Sequence, residues 1–200
     1  MQKPKTAAAI DRVTEITAVA RRLVAEEGAG ALSMREVAKR IGMTLTALQY
    51  HVPTKAALVE LLVTDAQQRY REALAPFVAN SDAPPDATLS RVVAWLLEPD
   101  ADWDEHVRFE VQLWSMAFTD TSAGRALDAY LGVYRAFLAE LIVRINPALA
   151  PTDADTRAAA IAAMLEGAIL FSGPGRPDHA DAGALRQRIA RAALLIAKDQ

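Results

Sequence analysis

The chain has 200 residues, of which 52% are hydrophobic and 24% charged, so it carries enough apolar surface to bury a sizeable core in one or two small domains and is not a disordered polymer. It contains no cysteine, which excludes a disulfide framework and a thiolate metal site. The net charge of -3 hides an uneven distribution, because residues 1–55 hold nine Lys or Arg against five Asp or Glu while the rest hold thirteen against twenty. The pattern is a small basic head followed by a larger acidic body, and a basic head suits an anionic partner.

Strand alternation is nearly absent and helical spacing runs throughout, so an all-α fold is expected. Ile10, Val13, Ile16, Val19, Ala20, Leu23 and Val24 form one apolar stripe, and the helix that carries it should stop at Gly28. Charges from Asp11 to Arg22 interrupt any apolar run long enough for a bilayer, so no membrane partner is expected and the reading is cytoplasmic. Ser33-Met34-Arg35-Glu36 reads as a capping box opening a second helix that Gly42 ends. Thr44 caps a third, and Thr54, after Val52-Pro53, caps a fourth that runs to about Tyr70. A loop at residues 80–85, a break at 98–100 and further breaks at Pro147, Pro151 and residues 172–175 separate helices through Leu89 to Leu96 and over 104–118, 122–145, 152–171 and 182–198.

Two short helices separated by Gly42-Met43 match a helix-turn-helix unit, whose second helix enters the DNA major groove. Val37, Ile41, Leu48 and Val52 are expected to bury its back, with Ala38 small where the helices cross. Thr46, Gln49 and Tyr50 share the opposite face at i, i+3 and i+4, with Leu45 beside them. Gln49 suits an adenine edge, and Leu45 or the Thr46 methyl suits a thymine methyl. The Thr44 and Tyr50 hydroxyls suit phosphate, and Arg35 suits either a phosphate or a guanine. Lys55 is the most telling residue: a cation in the first turn of a helix opposes the helix dipole unless an anion docks there.

These stretches, Leu32 to Ala38, Ile41 to Thr44 and Leu48 to Leu58, resemble the TetR family of bacterial transcriptional regulators over about residues 10 to 62. The family usually has tyrosine where this chain has Gln49. The resemblance implies that Thr44, Tyr50, His51 and Lys55 anchor the DNA backbone while Leu45, Thr46 and Gln49 face bases. It also implies two domains, a helix-turn-helix head over residues 1–55 and an effector-binding, dimerising helical body over residues 56–200. Double-stranded operator DNA, a small-molecule effector and a second copy of the chain are then the partners.

In the body, Trp95, Trp103, His106, Phe109, Gln112, Trp114, Tyr130 and Tyr134, with Glu166, are expected to line a mostly apolar effector pocket. Ile161, Leu165 and Ala168, facing Leu185, Ile189, Ala193 and Ile196, are expected to form a dimer interface of closely packed helices. No cofactor is expected. Asp102, His106 and Glu110 share a helical spacing but make a poor metal set, and no nucleophile and base stand at recognisable spacing, so neither a metal nor catalysis is expected. The function expected is a ligand-responsive repressor of a palindromic operator. The alternatives are a helical enzyme with a DNA-binding head and a protein-interaction module whose basic head binds an acidic partner.

Overall fold

The computed structural model describes residues 7–79, 83–97, 101–172 and 182–199, and only the backbone of residues 7–11, 101–103, 122, 172 and 182. The breaks expected at 80–82, 98–100 and 173–175, and the side chains of Ile10, Asp102 and Trp103, lie outside the described part. Among the described residues the fold is all-α: α1 (Ala7–Glu27), a 3-10 turn (Ala29–Ala31), α2 (Met34–Ile41), α3 (Leu45–His51), α4 (Lys55–Ala79), α5 (Pro85–Leu97), α6 (Ala101–Ala117), α7 (Thr121–Ile145), α8 (Pro151–Ser172) and α9 (Ala182–Lys198).

The early boundaries follow from local chemistry. Gly28, at φ 86°, ends α1 in a backbone region that side chains rarely enter. Ser33 Oγ accepts the Glu36 amide at 3.2 Å, while the Glu36 carboxylate is taken up by Arg40 Nε at 3.1 Å. Gly42, at φ 73°, turns the chain out of α2, and its amide reaches back to the Ala38 and Lys39 carbonyls. The apolar stripe of α1 is realised at Ile16, Ala20, Leu23 and Val24, which are buried together with Val37, Ala38, Leu48 and Val52.

The largest departure from the expected boundaries is in α4. α4 continues past Tyr70 to Ala79 and includes Pro76. A proline removes one amide from the helical ladder, but so close to the end it costs little of the helix, and Leu74 anchors the added turns by being buried.

The chain forms two compact units. One comprises residues 1–67 and 108–130, the other 68–107 and 131–200, so α4, α6 and α7 each give one part to each unit. The first unit therefore holds the basic head together with the second half of α6 and the start of α7. In the second, α5 packs on α9 and α8, and α8 on α9. Its core includes Leu89, Val92, Val93, Leu96, Ile161, Leu165, Ile189 and Ala193. The C-terminal carbonyls of α9 are met by Arg157, whose Nη1 donates to Ile196 O at 2.9 Å and Asp199 O at 2.6 Å, a placement the helix dipole favours. Lys198 Nζ donates to Asp86 Oδ2 at 3.0 Å and holds that carboxyl below its ordinary range, tying the end of α9 to the start of α5.

Glycine has opposite values at two positions. Gly42→Ala forces a side chain into the left-handed region and is expected to cost about 1–2 kcal/mol. Gly132, inside α7 with open space where a Cβ would stand, is expected to gain about 0.5–1 kcal/mol on replacement by alanine. Urea denaturation of the two variants checks both signs.

Candidate functional site

α3 is only seven residues long, and its two faces are sharply distinguished. Leu48 is fully buried against the head, whereas Thr44, Thr46, Gln49 and Tyr50 are exposed and Leu45 is half-buried. Tyr50 leaves 84% of its surface in solvent, with its ring edge-on to His51 at 5.2 Å between centroids. Thr44 Oγ1 accepts the Ala47 amide at 3.1 Å, so the cap fixes the start of the helix that displays these groups.

Immediately after it, Thr54 Oγ1 accepts the Ala57 amide at 3.1 Å and Leu58 N donates to Thr54 O, which makes Lys55 the first residue of α4. No acid stands in this first turn. Among the described residues the Lys55 and Ala56 amides have no hydrogen-bond partner, and both residues are exposed. The positive end of the helix dipole, two amides open to solvent and an ammonium thus converge at one exposed place.

Charge pairing separates the other cations of the head. Arg40 is bound by Glu27 and Glu36, with the Glu27 hydrogen bond foremost in raising its pKa, and Arg21 Nε stands 3.2 Å from Asp65 Oδ2. Arg35 is exposed, and among the described residues no acid pairs with it or with Lys55. Lys39 is 80% exposed and 3.9 Å from Glu36.

The residues expected to line an effector pocket are dispersed over both units. In the second unit, Tyr70 stacks on Tyr134 at 5.4 Å between centroids and meets Trp95 at 6.4 Å and His106 at 5.6 Å. The Tyr134 hydroxyl donates to Glu166 Oε1 at 2.9 Å. Tyr70 belongs to this cluster and was missed in the sequence, because it appeared to end α4 rather than sit midway along it. Phe109, Gln112, Trp114 and Tyr130 fall in the first unit. There Tyr130 is buried, its hydroxyl 3.1 Å from Glu110 Oε2, and Phe109 is buried. Trp114 is half-buried. Gln112 does something else: its Oε1 accepts the Ala29 amide at 3.0 Å.

Two clefts are lined by other residues. One of about 790 Å³, in the first unit, is bordered by Lys55, Val59, Val63, Met116, Asp120 and Arg125 among others. The second, of about 570 Å³, lies between α4 and α7 at Leu74, Val78, Val133 and Phe137.

The helix face expected to pair with a second copy is already covered within one chain. Ile161, Leu165, Ala168, Ile189 and Ala193 are buried in the second unit's own core, while Ile196 is half-buried and Leu185 exposed. The reason is that α8 is apolar on every side, so its sequence does not say which side faces inward. The side left open carries Ala160, Ala163 and Leu170, with half-buried Gly167 between them. Phe171 (71% exposed) on α8 and Leu195 (71%) on α9 are also open.

The first turn of α4 yields a test in the protein alone. Lys55→Glu replaces a charge that opposes the helix dipole with one that favours it, so the variant is expected to be more stable by about 0.5–1 kcal/mol. Thermal melting at low salt checks this, and a destabilised variant contradicts the reading of that turn.

The architecture has counterparts among solved structures. A transcriptional regulator from Rhodococcus sp. Rha1 shares 22% identity, with 92% of this chain and 93% of that one aligned and a TM-score of 0.72. One from Pseudomonas aeruginosa PAO1 shares 19%, over 92% and 89%, with a TM-score of 0.77. A regulator from Saccharomonospora viridis, solved in complex with choline, shares 18%, over 91% and 95%, with a TM-score of 0.72. At such identities the likeness establishes the fold. No curated protein matches the chain. Two family models do, one described as bacterial regulatory proteins of the tetR family over residues 16–62, and one as the C-terminal domain of BetI-type transcriptional repressors over residues 85–195. The first spans the helix-turn-helix and its flanks, the second more than half of the chain. The chain belongs to the tetR family of transcriptional regulators.

Proposed function

We propose that this regulator is a homodimeric repressor that holds a roughly palindromic operator and releases it when a small, mostly apolar effector occupies its body. The observation that carries the DNA-binding part is the exposed N-terminus of α4, where Lys55 opposes the helix dipole in a first turn that has no acid. A backbone phosphate docked there gains from the open amides and the ammonium together, which turns a local cost into an attraction. Arg35, Thr44, Tyr50 and His51 then supply further backbone contacts, and Leu45, Thr46 and Gln49 read bases.

Repression is supported by the description of the matching C-terminal family model. Dimerisation is supported by the open side of α8, whose small residues Ala160, Ala163 and Gly167 let a partner helix approach closely, flanked by Leu170, Phe171 and Leu195. With the buried residues assigned to the core, Leu185 and Ile196 are the expected interface positions that stay available. The division into a reading head over residues 1–55 and an effector-binding body over residues 56–200 is a division of labour, distinct from the compact units.

The effector reading rests on Tyr70, Trp95, His106 and Tyr134, with the Glu166 carboxylate hydrogen-bonded to Tyr134. Aromatic faces beside a carboxylate suit a compact cation with methylated or alkyl surface, the chemistry of the choline bound to the S. viridis regulator. Its binding weakens the operator complex by its differential affinity for two settings of the head.

Selection from a random duplex pool tests this reading. A palindromic site is expected, its half-sites about 34–36 Å apart or a multiple of that. Gln49→Ala should relax one base position per half-site by about 1–3 kcal/mol and leave the others unchanged. Enrichment of no sequence, or of a single asymmetric site, contradicts the proposal.

A further inference from the structure

The turn between α1 and α2 joins the two helices that pack against α3, and its hydrogen bonds can be followed one by one. Gly28 N donates to Val24 O at 3.0 Å, Ala31 N to Gly28 O at 3.1 Å and Leu32 N to Ala29 O at 3.2 Å. These are all local. The first residue of the 3-10 turn, Ala29, has no side-chain cap from its neighbours. Its amide is met from 83 residues away by Gln112 Oε1 on α6, at 3.0 Å. Gly28 is matched to this arrangement in two ways. Its φ of 86° suits glycine, and a Cβ there would stand 3.3 Å from Gln112 Oε1, so its bareness leaves room for the amide.

We infer that Gln112 is a positioning residue for the reading head, a distant cap that makes the setting of the α1–α2 turn depend on the position of α6. The inference rests on the DNA-binding reading above and adds a residue that supports the head from outside it. A hydrogen bond at 3.0 Å weakens steeply with a displacement of half an ångström or with misalignment, so it responds to small shifts of the helix that carries it. α6 is one continuous helix from Ala101 to Ala117. Gln112 touches neither DNA nor effector in this scheme.

Two variants separate the acceptor from the bulk of the side chain. Gln112→Met keeps the length and loses the oxygen, whereas Gln112→Glu keeps an oxygen in place. For Gln112→Met, hydrogen–deuterium exchange is expected to rise about fivefold over residues 28–32 and on into α2 and α3, and operator affinity to fall about fivefold, the factor one ordinary hydrogen bond is worth. Gln112→Glu is expected within twofold of wild type in both. Exchange that rises only at residues 28–32 with affinity unchanged overturns the inference, and so does Gln112→Glu behaving like Gln112→Met. If the wild-type chain selects no operator, the DNA-binding proposal fails, while the exchange comparison across α2 and α3 still decides for or against Gln112.

Discussion

The constraint on which the account depends is electrostatic and local. A helix N-terminus concentrates partial positive charge, and proteins normally place acids or capping oxygens there. Here Thr54 supplies one cap, but the next side chain is an ammonium and the first turn has no acid. Taken within the folded chain alone, this costs stability. It becomes favourable only when an anion arrives, and the neighbouring α3 presents Thr44, Thr46, Gln49 and Tyr50 to the same solvent. The rest of the head keeps that arrangement fixed: Gly42 sets the turn, and Leu48 and Val52 lock α3 onto α1 and α2.

Holding the groups in place is one requirement, and moving them on demand is another. α4 begins at the proposed phosphate contact and continues to Tyr70, in the aromatic cluster, and beyond. α6 carries His106 and, farther along, Gln112. The same two helices thus hold groups of both kinds, those proposed to face DNA or to support the head and those proposed to meet an effector. Regulation needs no new contact with DNA in this scheme. It needs only two settings of these helices with different operator affinity, biased by whatever binds the body.

Much of the head was legible in the sequence because its determinants are local. Ser33, Thr44 and Thr54 cap the amides three residues ahead, Gly28 and Gly42 take the positive φ that ends a helix, and the buried stripe of α1 repeats at helical spacing. Pattern failed where the deciding partner is remote or the pattern is degenerate. Gln112 looked like a pocket residue because nothing near it in sequence announces Ala29. Ile161, Leu165 and Ala168, expected at an interface, are buried in the core because apolar residues run around α8, and only its packing on α5 and α9 reveals which side is inward. α4 was drawn only to about Tyr70, whereas Leu74 is buried and the helix runs on through Pro76 to Ala79.

The most direct measurement is the salt dependence of operator affinity for the wild-type chain and for Lys55→Met. Neutralising one phosphate contact per head is expected to reduce the slope of log affinity against log salt by about one per head, about two for a dimer, with base preference unchanged. An identical slope in the two proteins would place Lys55 away from the DNA backbone and contradict the account at its foundation.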